Sequence, residues 1–155
     1  MSYVKDFFTN YILMCAVVGW LSAQILKTII DLIQKKKISI FQILFSNGGM
    51  PSSHTAAVVA LCIACGIKEG LGSSIFAVSA LFAMIVMIDA SGVRYETGKQ
   101  SKILNKIAKE LFAGNSEEVE LGLKELVGHT PFQVIMGALN GVIVAVTMSF
   151  AMGVL

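Results

Sequence analysis

The sequence predicts an all-α integral membrane helical bundle, about four transmembrane helices with amphipathic interfacial helices. Two observations predict it. Hydrophobic residues make up 55% of the 155 residues and charged residues only 14%, whereas soluble domains run near ~25% charged. The polar surface is therefore too small to cover a water-facing globule. The apolar residues also gather into runs near the ~20 residues that cross a hydrocarbon core. The length suits a single domain, residues 1–155. This composition argues against a cytosolic enzyme, a nucleic-acid binder and a disordered regulator.

The first run spans Tyr11 to about Ile33, apolar to Ile25 and then amphipathic, with Lys27 and Asp31 near its end. It is too long for a cleaved signal peptide and lacks a small-residue cleavage pattern. Lys35-Lys36-Lys37 follows, then the octet Ile38 to Phe45, which is too short to span and is expected at the interface or dipping partway in. The second run, Pro51 to Ile67, is closed by Lys68-Glu69-Gly70, and the third covers about Gly72 to Ile88 and stops at Asp89. Both are short, so they should sit upright or locally thin the bilayer. The fourth is Pro131 to Leu155, with only Gln133 and Asn140 conspicuously polar.

Between the third and fourth runs lies the one long polar region, Ser91 to Thr130, read as a cytoplasmic amphipathic insertion. It predicts two helices, Lys99 to Phe112 and Ser116 to Val127, separated by Gly114-Asn115. Ile103, Leu104, Ile107, Ala108 and Leu111 fall at helical spacing and suit packing on the bundle or the membrane surface. Ten of the twelve basic residues fall in or beside the loops after spans one and three, against Lys5 and Lys68 on the other side. That bias places those loops in the cytoplasm of a multi-pass cell-membrane protein. Cys62 and Cys65 have C-x-x-C spacing, but no βαβ context surrounds them, so they read as small packing residues.

The chain has two histidines, and each sits where a span begins. His54 closes Gly49-Met50-Pro51-Ser52-Ser53-His54; His129 lies in Gly128-His129-Thr130-Pro131. Each proline suits a first helical turn. In a four-span layout both N-termini open on the cytoplasmic side, where free N–H groups and the helix dipole attract anions. The same field favours a neutral, nucleophilic imidazole. Arg94, the chain's single arginine, follows span three on that side, and Lys27 is within reach at the end of span one. Two histidines, a guanidinium and two helix N-termini make a phosphate clamp. Singly, each feature is better explained by a turn, a cap or a headgroup anchor; their convergence on one face reverses that and favours a site. Two histidines with no carboxylate or thiolate at ligand spacing make a poor metal shell, and no metal or cofactor is expected.

Pro51-Ser52-Ser53-His54 resembles the P-S-G-H motif of the type-2 phosphatidic acid phosphatases and vanadium haloperoxidases. Gly128-His129-Thr130-Pro131, followed by Gly137-Ala138-Leu139-Asn140-Gly141, resembles the end of their third motif and the helix after it. With Asp89-Ala90-Ser91-Gly92-Val93-Arg94 between them, the order is similar to the small divergent branch found in bacteria and plastids. The resemblance implies a metal-independent hydrolase acting on a lipid phosphomonoester or diphosphate. Phosphatidylglycerophosphate, phosphatidic acid and prenyl diphosphates, that is phospholipid or isoprenoid phosphates, are the implied substrates. It also implies that His129 is the nucleophile forming a phosphohistidine and that His54 is the acid for the leaving oxygen. Arg94, Ser52, Ser53 and Lys27 would hold phosphate, with Gly49, Gly128, Gln133 and Asp89 in support. Gln133 stands where the family's orienting aspartate would fall, and Arg94 precedes His129 by 35 residues instead of six. The insertion must therefore fold back.

The alternative is a catalytically degenerate membrane protein that binds phosphorylated headgroups without turnover, with Gln133 as its support. A transporter or channel would want mid-span polar residues, and Asn140 alone fits. Gly137-x3-Gly141 reads as a close-packing face, within the bundle or in a homodimer.

Overall fold

A computed structural model describes residues 2–34, 49–112, 123 and 128–155. The Lys35–Lys37 cluster, the Ile38–Phe45 octet and the second insertion helix, apart from Leu123, lie outside the described residues. Six helices follow one another among them: α1 (Ser2–Phe8), α2 (Tyr11–Ile33), α3 (Ser53–Glu69), α4 (Ser74–Ser91), α5 (Val93–Phe112) and α6 (Pro131–Ala151). No strand occurs among the described residues. The architecture is an all-α membrane bundle. Three helical stretches are long and apolar enough to cross a bilayer, namely α2, the α4–α5 stretch and α6. At 17 residues α3 is shorter, and it forms the centre, packed against α2, α4 and α6.

Each start has a chemical cause. Asn10, Ser52, Ser73 and Thr130 are N-caps in extended conformation, and their side chains accept from the backbone N–H three residues on. The second span thus begins two residues later than expected, with Pro51 ahead of the cap instead of in the first turn. Pro131 does occupy the first turn of α6. The first insertion helix starts at Val93, six residues before the expected Lys99, because only Gly92 interrupts the chain after α4. One face of α5 exposes Ile103, Leu104, Ile107 and Leu111. Asn105 on the same helix donates to the carbonyl of Leu123 at 2.9 Å, so the insertion does double back. The short α1 was not foreseen; it exposes Tyr3, Val4, Phe7 and Phe8.

The interior is built from small residues. Ala56, Ala60 and Ala64 repeat every fourth residue along α3, and all are fully buried. Large side chains such as Ile25, Ile85, Ile135 and Ile143 point outward. That inversion suits a bilayer, where lipid tails are as apolar as leucine and helices associate by close packing. A methyl added at Gly19 would lie 2.9 Å from the Ala56 carbonyl oxygen. At Gly137 it would lie 2.5 Å from the Ser52 oxygen, and at Gly141 2.6 Å from the Ala56 oxygen. Both α6 glycines are therefore engaged inside one chain.

These contacts also fix direction. Residues 52 and 56 meet 137 and 141 in the same order, so α3 and α6 run parallel. Tyr11 hydrogen-bonds Ser149, and Asn140 donates to Ser22 at 2.8 Å, so α2 runs antiparallel to both. Asn140 serves as interhelical polar glue, which removes the feature that favoured a transporter. The N-termini of α3 and α6 and the C-termini of α2 and α4 share one end. Tyr11, Cys15 and Ala64 pack together towards the other.

Gly141→Ala is expected to destabilise the bundle by about 1–3 kcal/mol through overpacking against the α3 backbone. Ile143→Ala, on the lipid-facing side, should change little. Thermal unfolding of both variants in one detergent checks the contrast.

Candidate active site

His129 is held from three directions. Gly128 before it has φ +90, and a Cβ there would sit 2.4 Å from the Tyr95 nitrogen and 2.6 Å from the Arg94 carbonyl carbon. Glycine is required on both counts. The His129 N–H donates to the Ala90 carbonyl at 2.9 Å, tying it to the end of α4. Its Nδ1 lies 3.1 Å from the Gly49 carbonyl oxygen. A carbonyl can only accept, so Nδ1 carries the proton and the lone pair resides on Nε2. The residue is 4% exposed.

Gly49 presents its hydrogen side to Lys27. A Cβ there would lie 3.4 Å from both Cγ and Cδ of that lysine, and Lys27 itself is 3% exposed. The end of α2 is thereby brought under the segment that contacts His129. On the adjacent side the Ser52 N–H donates to the Gln133 carbonyl at 3.2 Å, joining the first turns of α3 and α6.

Burial pulls the His129 imidazole below the ordinary histidine range, and the Lys27 charge pulls it further. Contacts with the Gln133 side chain and the Gly49 carbonyl oppose this only in part, and the nearby His54 adds to the depression. His129 is therefore neutral at pH 7. His54 is exposed in the first turn of α3 and feels the charges of Arg94 and Lys27. Arg94 pairs through Nε with Asp89, in a side-chain contact more than a third exposed on both sides. Such a surface pair contributes at most about 1 kcal/mol, so another anion can compete with Asp89 for the guanidinium.

Direct contacts thus join His129 with Gly49, Gly128 with Arg94, and Ser52 with Gln133, with Lys27 packed against Gly49. His54 and Arg94 stand at the rim. Ser52 and Ser53 are buried, and the Ser52 hydroxyl accepts from the Thr55 N–H at 3.4 Å and from the Thr55 hydroxyl at 2.9 Å. Asp89 faces Arg94, while Gln133 closes a capping box: its Oε1 accepts from the Thr130 N–H at 3.0 Å and its N–H donates to Thr130 Oγ1 at 3.4 Å. Thr130 and the Gly49 carbonyl went unnoticed in the sequence. The first was readable as a T-x-x-Q box; a backbone acceptor leaves no trace in residue type.

The Divergent PAP2 family matches residues 8–144, a range that contains both histidines, Lys27 and Arg94. The chain belongs to that family. Over 155 aligned residues it is 37% identical to the uncharacterized membrane protein YuiD of Bacillus subtilis (strain 168), covering 94% of this chain and 98% of that protein. No solved structure matches. Together with the apolar helices, membership and this relative make the chain a membrane protein of the Divergent PAP2 family.

Gln133→Ala should lose about 1 kcal/mol by opening the capping box, whereas Gln133→Glu should keep it; thermal unfolding separates them. With only two histidines, nitrogen-15 spectra of labelled protein can assign each ring. His129 should appear as the Nδ1–H tautomer and titrate below the ordinary value near ~6.5. Lys27→Met should move that titration upward, because removing a positive charge lowers the cost of protonating the ring.

Proposed function

We propose that the protein is a lipid phosphatase of the cell membrane that works through a phosphohistidine, with its site on the cytoplasmic face. The observation that carries this reading is His129, buried and neutral, with Nδ1 bonded to the Gly49 carbonyl. That bond does what a carboxylate does elsewhere: it fixes the tautomer and leaves the nucleophilic lone pair on Nε2. Lys27 and Arg94 supply positive charge for the phosphate oxygens, and the N-terminal turns of α3 and α6 add their dipoles.

In the first step His129 Nε2 attacks phosphorus and the bond to the lipid oxygen breaks. Protonated His54 gives its proton to that leaving oxygen. Water then attacks the phosphohistidine, passing a proton to His54, and phosphate departs with His129 neutral again. The bond count and charge are restored after each cycle. Phosphatidylglycerophosphate, phosphatidic acid and prenyl diphosphates are the substrates to compare, and a cytoplasmic site fits lipids made in the inner leaflet.

Gln133 favours a second reading. A neutral amide beside His129 cannot stabilise the cationic phosphorylated ring as a carboxylate would, so the same pocket could hold a headgroup without turnover. Phosphate release by purified protein, with EDTA present, decides between the two. Catalysis predicts release that vanishes in His129→Ala and falls about 10²–10⁴-fold in His54→Ala. It also predicts a bell-shaped profile whose acid limb follows the lowered His129 titration. Gln133→Glu, which preserves the capping box, should raise kcat. Saturable binding that needs Arg94, with no product from any lipid, would establish the second reading instead.

A further inference from the structure

We infer that α5 lies along the membrane surface and that its lysines hold the anionic headgroups of the leaflet where α4 ends. This reaches beyond the reading of His129 and does not depend on turnover. The start of the helix fixes its depth. α4 has 18 residues, about 27 Å of helix, close to the ~30 Å of a hydrocarbon core. Only Gly92 separates it from α5, so Val93 emerges at the headgroup boundary. Gly92 has φ −106 and ψ −93, outside helical values, and the nearby Ala90 carbonyl is open to the His129 N–H. The helix therefore breaks here. Beyond the break α5 packs on α4 and on no other helix of the described residues.

Two faces of α5 are open, and they differ in kind. Ile103, Leu104, Ile107 and Leu111 share one face, and each is between 45% and 74% exposed. Lys99, Lys102, Lys106 and Lys109, spaced by three, four and three residues, share another and are exposed too. The returning insertion takes neither: Leu123 is met by Asn105, which lies on the face of buried Ala108. Running straight on into water, α5 would leave its four large aliphatic side chains uncovered about 16–28 Å beyond the boundary. Laid in the interface, the same face enters the acyl boundary while the lysine stems reach up to the headgroups. Charge then selects the lipid. Glu96 and Glu110 pair with Lys99 at 2.7 Å and Lys106 at 3.9 Å, while Lys102 and Lys109 form no ion pair among the described residues. Headgroups of net negative charge supply the counter-charge these two lack, and zwitterionic ones do not. Arg94 is the second residue of α5, so the same docking holds its guanidinium at headgroup depth.

The test uses the full chain in nanodiscs, with a nitroxide carried on p-acetylphenylalanine at one position at a time, so that the native cysteines stay untouched. Power-saturation EPR compares collisions with oxygen, which concentrates in lipid, and with a nickel chelate, which stays in water. In discs containing phosphatidylglycerol, nitroxides in place of Leu104, Ile107 or Leu111 should be open to oxygen and closed to nickel. Those in place of Lys102 or Lys109 should show the reverse. Nickel access at the aliphatic positions would put that face in water, and closure to both relaxants would mean that a second copy or another protein covers it. Either result overturns the inference. The lipid is tested by charge. A lysine near an anionic surface is worth about fivefold, so Lys102→Glu with Lys109→Glu should shift the docking equilibrium by about 25-fold in phosphatidylglycerol discs. Nickel access at Ile107 reads that shift, and in pure phosphatidylcholine discs the pair should change little. A doubly substituted chain that stays as deep as the parent in phosphatidylglycerol, or moves equally in both discs, would overturn the recognition of anionic lipid. Neither measurement reads phosphate release, so the phosphatase and this helix stand or fall separately.

Discussion

Everything at the site depends on how closely α3 lies against α2 and α6. In a bilayer no hydrophobic force draws helices together, so the gain comes from dispersion and polar contacts made when backbones approach. Gly19 and Gly141 permit that approach against Ala56 and Ala60, and Gly137 permits it against Ser52 and Thr55. The seam between α3 and α6 fixes more than stability. It sets the two helices parallel and in register, so that the Ser52 N–H reaches the Gln133 carbonyl and two helix N-termini lie side by side. Shift that register by one turn, about 5.4 Å, and Gly49 no longer meets His129.

Around this seam the chain closes a loop in space that is long in sequence. Arg94 and His129 are separated by 35 residues, yet Gly128 lies against the backbone of Arg94 and Tyr95, and His129 bonds Ala90. The insertion leaves from the end of α4 and returns to it. Residues far apart in sequence are thereby held together, because a positive-φ glycine lets the returning chain touch the first turn of α5.

Much of this was legible in the sequence, and the reasons are specific. Apolar runs marked the bundle, and a histidine beside each of two helix starts marked the candidate site, since caps, prolines and glycines announce themselves by residue type. The spacing Gly137-x3-Gly141 announced a packing face, though the partner surface on α3 depends on register, which no local pattern encodes. Helix ends were misplaced where the signal was ambiguous: Pro51 suits a first turn but stands before the Ser52 cap, and the polar stretch from Arg94 to Thr97 hid a helix that follows α4 after a single glycine. Gln133 stands where a motif resemblance expects an aspartate, and that expectation masks its ordinary role in the Thr130 capping box. The Gly49 carbonyl was invisible because any residue supplies one.

A backbone carbonyl as the partner of His129 Nδ1, in place of a carboxylate, sets the charge balance on which the proposed chemistry turns. An aspartate beside His129 would hold the tautomer and also offset the cation that forms when the ring is phosphorylated. The Gly49 carbonyl does the first and, being neutral, little of the second. Lys27 and Arg94 then stand near the histidines with Asp31 on α2 and Asp89 on α4 as the acidic groups facing them. In the proposed reaction a site so balanced would favour a phosphate dianion at rest over the phosphorylated imidazole. Under the proposed chemistry, tight headgroup binding and modest turnover would then share one cause, a neutral carbonyl that fixes the ring without offsetting its cation.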